Sequence, residues 1–187
     1  MTDFCYSRRV VVYTVGHSTL TLDALLTLLG TAAIRTVADV RRFPASRRHP
    51  HFAREALAGA LGEAGIRYVW LPGLGGRRRG RSGSPHVGWR SASFRAYADH
   101  METDEFEGDL ARVIELAHEG PTAVLCAEAV PWRCHRQLVA DALVARGVEV
   151  RHLISGARPE AHRLTPFARL DGHRVVYDRG QLGLASR

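Results

Sequence analysis

Cys126 and Cys134 are the residues on which chemistry would turn. Cys126 closes the apolar run Thr122 to Cys126, and Glu128 lies two positions on, so a sulfur at a strand mouth has a carboxyl group within reach. Cys134, His135 and Arg136 follow in direct succession. The thiolate is the form of cysteine that attacks electrophiles and binds metals, and cationic neighbours or a helix N-terminus favour it. Pro131 suits a first helical turn, so the pattern predicts a helix over about 132–145 with Cys134 near its start. Three readings follow. Cys126 or Cys134 can act as a nucleophile or redox thiol while Glu128 or His135 exchanges protons. Cys126, Cys134 and His135, with His17 as a further candidate, can ligate zinc or iron. Either cysteine can also serve as a small buried hydrophobe. Seven residues separate the two cysteines, unlike the closely spaced pairs of familiar zinc sites, so no metal ligand is assigned and the cofactor stays unknown. Phosphocysteine chemistry needs arginine after five intervening residues, which is position 132, where Trp132 stands.

A second set of residues suits anion binding. His17 and Ser18 offer a base and a hydroxyl, or a cap for the helix that follows. Asp39 can pair internally while Arg41 faces a ligand, or the two can form a structural ion pair. Arg133 and Arg136 can hold an anion at a helix start. Two loops carry arginine groups, Arg41, Arg42, Arg47 and Arg48 on one and Arg77, Arg78, Arg79 and Arg81 on the other. With Phe43, Trp89 and Tyr97 they can grip phosphates and stack a base, or form a solvated rim. The expected partner is an anionic small molecule or a nucleic acid. The leading expectation is a cysteine-dependent enzyme, a transferase or hydrolase, on such a substrate. The alternatives are a non-catalytic nucleic-acid-binding module with a structural Cys/His cluster, and a metal-dependent enzyme using Cys126, Cys134 and His135.

The elements that must position these residues alternate. Val10 to Val15 reads as a buried strand, and Thr21 caps a helix whose apolar face is Leu22, Leu25, Leu26, Leu28 and Leu29. Strands are predicted at Ile34 to Val40, Ile66 to Leu71, Thr122 to Cys126 and Val148 to Leu153. Helices are predicted from Phe52 to Glu63, from Ser93, and from Thr103 to His118. Pro72 to Pro85 looks the least ordered, and Val175 to Tyr177 forms a last short strand. This alternation predicts an α/β fold, a mainly parallel sheet with helices on both faces in a single compact domain. The domain is expected over 1–156, with 157–187 as an extension packed on or flanking it. Ligands in such sheets bind beyond the carboxyl ends of the strands, where His17, Ser18, Asp39, Arg41, Gly75, Gly76 and Cys126 collect.

A chain of 187 residues suits one core, and 45% hydrophobic with 24% charged residues excludes a mainly disordered polypeptide. No apolar run reaches membrane-spanning length and no secretory cleavage pattern opens the chain, so no membrane partner and a cytoplasmic location are expected. Cys5, Cys126 and Cys134 are too few for a disulfide framework, and reduced thiols follow. The net charge of +7 rests on arginine alone, for the chain has no lysine. Arginine's planar fork fits phosphate and carboxylate. Oligomeric state leaves no mark on the sequence.

The motifs Thr14 to Ser18, Asp39 to Arg41 with Pro44 and Ser46, Leu74 to Gly76, Phe94 with Tyr97, and Cys126 to Glu128 followed by Cys134 to Arg136 span about residues 10–155. In order and spacing the chain resembles the bacterial and archaeal family catalogued as domain of unknown function 488. The resemblance implies a site at these motifs, adding Ser46 to the substrate-binding candidates His17, Ser18, Asp39, Arg41, Gly75, Gly76 and Arg136, and leaves the reaction open. A looser similarity, to rhodanese-like domains, rests on Asp39 to Arg41 and Cys126 at strand ends. It implies sulfur transfer by analogy only, because Ala127 to Arg133 is longer than the rhodanese loop and lacks glycine.

Overall fold

The computed structural model of this chain describes residues 10–45, 49–155 and 157–178. Strands β1 (Val11–Gly16), β2 (Thr36–Asp39), β3 (Arg67–Trp70), β4 (Thr122–Cys126) and β5 (Glu149–Leu153) lie parallel, and the two-residue β6 (Glu160–Ala161) joins β5 antiparallel. The order across the sheet is β3-β2-β4-β1-β5-β6. Helices α1 (Leu22–Gly30) and α2 (Arg54–Glu63) cover one face, and α3 (Ala92–His100), α4 (Asp104–Glu119) and α5 (Arg136–Ala145) cover the other. The α/β architecture read from the sequence is the one observed.

Strand alternation divides the core. Ala123 and Leu125 of β4 pack with Val15, Val37, Leu25, Leu29, Leu57 and Leu61, while Val124 and Cys126 face the layer of Tyr97, Leu110, Val113, Leu138 and Val139. Side chains alternate across a strand, so a sheet buried on both faces needs apolar residues at every position. All five residues of β4 are accordingly buried. Thr21 and Thr103 cap α1 and α4, their hydroxyls accepting from Ala24 N and Phe106 N.

From β1 the chain moves to β2 and β3 on one side of β4, and from β4 it crosses β1 to reach β5 on the other. Successive connections thus depart in opposite directions above β1 and β4, which leaves a crevice at their carboxyl ends.

Residues 157–178 lie against the parallel sheet and α5. Strands β7 (Arg169–Asp171) and β8 (Arg174–Val176) form a hairpin. Asp141 of α5, fully buried, accepts from Thr165 N at 3.0 Å, Thr165 Oγ1 at 2.7 Å and Tyr177 OH at 2.8 Å, and meets His162 Nε2 at 2.8 Å. His162 Nδ1 is 3.0 Å from His152 Nε2, whose Nδ1 is 2.7 Å from Thr14 Oγ1. One buried carboxylate therefore ties this segment to the sheet.

One expectation is corrected. The helix predicted from 132 begins at Arg136, because Pro131 opens a 3₁₀ turn, Pro131–Arg133, and Cys134 is extended with φ −135° and ψ 151°. The stretch from Pro72 to Pro85 holds one 3₁₀ turn, Pro72–Leu74, and otherwise turns and coil, with its first residues held by Arg78, which donates to Gly75 O, Pro72 O and Gly73 O and pairs with Glu105.

Candidate functional site

Register decides which chemistry meets. Gly16 stands beside Cys126, and Asp39 beside both Leu125 and Trp70, so β1, β4, β2 and β3 end at nearly one level. The loop leaving β4 is stitched to the loop leaving β1: His17 N donates to Cys126 O at 3.0 Å and Ser18 N to Ala127 O at 2.8 Å. Gly16 allows this approach, since a Cβ there would lie 1.7 Å from Glu128 O. Ser18 itself adopts φ 42°, in the left-handed region that few residues with a side chain enter.

The extended backbone at Cys134 swings its sulfur back over β4. Cys134 Sγ lies 3.3 Å from Cys126 Sγ and 3.6 Å from His135 Nδ1, and Cys126 Sγ lies 3.9 Å from the same nitrogen. Both cysteines are buried, 5% and 3% exposed. The pair yields its first proton readily and holds its second. Cys134 is lowered well below the ordinary thiol range by its hydrogen bond with Cys126, by the hydrogen bond and charge of His135 and by the charge of Arg136, against the effect of burial. Cys126 is raised well above that range by the hydrogen bond with Cys134, by burial and by the Cys134 charge, although Arg136 and the Glu128 N–H act the other way. His135 is held between Gly76, where a Cβ would lie 2.9 Å from Nδ1, and the Tyr97 ring, whose centroid is 5.1 Å away. Tyr97 is fixed in turn by donating to Leu74 O at 2.6 Å.

Beneath the floor lies a second polar cluster. Asp39, fully buried, accepts from Arg41 N, Nε and Nη2, the last at 2.6 Å, and from Tyr68 OH at 2.7 Å. Arg41 also donates to Phe52 O at 2.7 Å and lies 3.3 Å from His17 Nε2. The ring of His17 packs on Phe52 at 4.1 Å, and its pKa is lowered to about 4 by burial and by the Arg41 charge, so it is neutral near pH 7. Trp70 Nε1 donates to Arg41 O at 2.9 Å. Tyr68 and Trp70 were not among the residues singled out from the sequence. Their spacing of two puts both on the same side of β3, and the pairing of Trp70 with Asp39 gives that side its meaning.

Above the cysteines opens a cleft of about 410 Å³, within the range of small-molecule sites. Cys126, Glu128, Cys134 and His135 line it together with Gly76, Phe43, Phe94, Tyr97, Arg41, Arg42, Arg77 and Arg133. The side chains of Arg77 and Arg133 have no hydrogen-bond or ion-pair partner among the described residues, and Arg77 holds φ 59°. Glu128 is exposed at the rim.

Other site candidates stand differently. His17, Ser18, Asp39, Gly75 and Arg136 are absent from the cleft wall and support it from behind. Arg136 is expected from the sequence to bind an anion; its side chain is 1% exposed and its Nη2 donates to Glu128 O and Ala129 O, holding the loop after Cys126. The Arg41 guanidinium is likewise engaged by Asp39 and Phe52 O. Gly75 packs on Arg42, where a Cβ would lie 2.7 Å from the Arg42 Cβ. Among the loop arginines, Arg78 is latched to Glu105, and Arg81 pairs with Asp99 and Glu102. Ser46, Arg47, Arg48 and Cys5 lie outside the described residues.

The architecture is that of an α/β domain with a thiol-bearing cleft at the carboxyl edge of a mainly parallel sheet. Residues 21–143 match the family model described as domain of unknown function DUF488, and the chain belongs to that family. The motif Thr14 to Ser18 precedes the matched span. No curated protein and no solved structure matches the chain.

Proposed function

We propose that this protein is an enzyme whose chemistry depends on Cys126 and Cys134 and acts on a small anionic substrate held in the cleft. The observation that carries the reading is the meeting of two sulfurs, 3.3 Å apart, on the floor of a cleft whose wall includes the guanidiniums of Arg77 and Arg133, which have no partner among the described residues. Free guanidiniums beside a partly enclosed space raise the local concentration of anions. Phe43, Phe94 and Tyr97 supply an apolar wall for the rest of the substrate. Cleft volume favours a small molecule over a polymer, and the internal pairing of Arg78 and Arg81 removes two arginines from any continuous basic track.

Charge-selective alkylation tests this reading. In a Cys5→Ser background, the reduced and chelator-treated protein should favour iodoacetate over iodoacetamide, relative to free cysteine, by on the order of ten-fold. Arg77→Ala with Arg133→Ala should remove that preference, and Cys126→Ser or Cys134→Ser should change the number of reacting thiols. A preference equal to that of free cysteine in the unsubstituted cleft would overturn the anion-binding part. Inert thiols at both positions would overturn the cysteine-dependent part.

A further inference from the structure

The three donor atoms at the cleft floor are spaced as ligands around one point. Cys126 Sγ, Cys134 Sγ and His135 Nδ1 are mutually 3.3, 3.6 and 3.9 Å apart. Zinc bonds of about 2.3 Å to sulfur and about 2.0–2.1 Å to nitrogen, at tetrahedral angles, place two sulfurs ~3.8 Å apart and sulfur and nitrogen ~3.5 Å apart. Each observed separation lies within about 0.5 Å of its tetrahedral value. A disulfide, by contrast, needs its sulfurs at about 2.05 Å.

Cys134 and His135 are adjacent in sequence and Cys126 lies eight positions before Cys134, but spacing alone does not show that their donor atoms converge. Cys126 ends β4, Cys134 stands in the extended residue after the 3₁₀ turn, and His135 caps α5. Gly76 lies against the imidazole from a separate loop, and any larger residue there would displace Nδ1. Both sulfurs are buried yet reach the cleft, as His135 does, so the ligand set is closed on the protein side and open on the cleft side.

We propose that Cys126, Cys134 and His135 form a three-ligand site for one divalent cation of the zinc class, with its fourth coordination position facing the arginine-lined cleft. Two thiolates and an imidazole select borderline-soft cations over magnesium or calcium. Three protein ligands with one open position are the arrangement of catalytic rather than structural zinc. Such a cation polarises an oxygen of a bound anion or lowers the pKa of a bound water. Arg77 and Arg133 are placed to hold the anionic end of the molecule presented to it. The proposal rests on the cysteine-dependent reading above and specifies its form: the sulfurs act as ligands.

The test uses the full chain carrying Cys5→Ser, produced with zinc and dialysed exhaustively. Elemental analysis should find one zinc per chain. Cobalt in its place should show the visible bands of a tetrahedral thiolate site, and those bands should change on adding inorganic phosphate. Cys126→Ala, Cys134→Ala and His135→Gln should each weaken zinc binding by more than about 100-fold, beyond the 10–100-fold that outer-shell changes produce. His135 is only half-buried, so its variant keeps the test decisive if a cysteine variant fails to fold. Protein that takes up neither zinc nor cobalt, or full zinc retention in a folded His135→Gln, overturns the proposal. Zinc-free protein with charge-selective thiols would discard the metal and leave the cysteine-dependent reading intact. Stoichiometric zinc with no charge selectivity after stripping would keep the metal and discard the anion-binding part.

Discussion

Replacing Gly16 with alanine should unfold the site before it unfolds the sheet. The new Cβ would lie 1.7 Å from Glu128 O and 2.7 Å from Arg136 Nη2, and neither neighbour is the free end of an exposed side chain. Ordinary contact requires the Glu128 carbonyl to retreat by roughly 1.5 Å. That movement breaks the Arg136 bond to Glu128 O and strains Ser18 N to Ala127 O and His17 N to Cys126 O. A charged hydrogen bond contributes about 1.5–3 kcal/mol and each neutral one about 0.5–1.5 kcal/mol, so the loss should be about 3–5 kcal/mol. Urea denaturation followed by far-ultraviolet circular dichroism measures it. Gly59→Ala in α2 is the control. Among the described residues no atom outside its own helix lies within 4 Å of a Cβ there, and a helical alanine should stabilise by about 0.5–1 kcal/mol. A Gly16→Ala protein within about 1 kcal/mol of the parent would refute the reasoning, because the loop after Cys126 would then be shown to move freely.

Asp141→Ala removes the shared acceptor of Thr165, Tyr177 and His162, and should cost about 3–5 kcal/mol, with amide exchange rising first across residues 160–176. Unchanged exchange there would mean the segment is held by apolar contacts alone. Tyr68→Phe leaves Asp39 one donor short and should cost about 1.5–3 kcal/mol in the same denaturation assay, a neutral result showing that water replaces the phenol. His152 is lowered from 6.5 to about 4 by burial first, then by His162 and Arg136. Between those values the unfolded chain binds a proton that the folded chain refuses, so its contribution is complete above about pH 6.5 and is lost as pH falls toward 4. Solvent screening reduces the effect to about 1–2 kcal/mol, measurable as a loss of stability across that window that His152→Gln should lessen by that amount. His17, His86 and His100, lowered mainly by burial, act in the same direction and keep the remainder of the slope.

Much of the architecture is legible in one dimension because it depends on short-range pattern. A run such as Val10 to Val15 is too short and too β-branched for a helix, and the leucines of 22–29 recur at helical spacing, so element type follows from local chemistry. Caps at Thr21 and Thr103 are legible for the same reason, as each satisfies amides only three residues away. The alternation of strands and helices then allows few topologies other than a parallel sheet. The edge that carries the candidate site is legible too, since α/β sheets bind ligands at the carboxyl edge, where Cys126 and Asp39 stand.

Distance in space could not be read that way. The start of α5 depends on how Pro131 and Cys134 turn, and the loop that leads into that turn is held by Arg136 reaching the carbonyls of Glu128 and Ala129. Which arginines find internal partners is likewise a tertiary outcome. Arg41, Arg78, Arg81 and Arg136 find internal acceptors, whereas the side chains of Arg77 and Arg133 have none among the described residues, and nothing in their local sequence separates the two groups. Sequence determined the kinds of side chain available at the edge of this sheet, because type, periodicity and capping are local properties. Only the packed structure decided that two sulfurs and an imidazole nitrogen converge within 4 Å, because that convergence depends on strand register and on the close approach of backbone at Gly16 and Gly76.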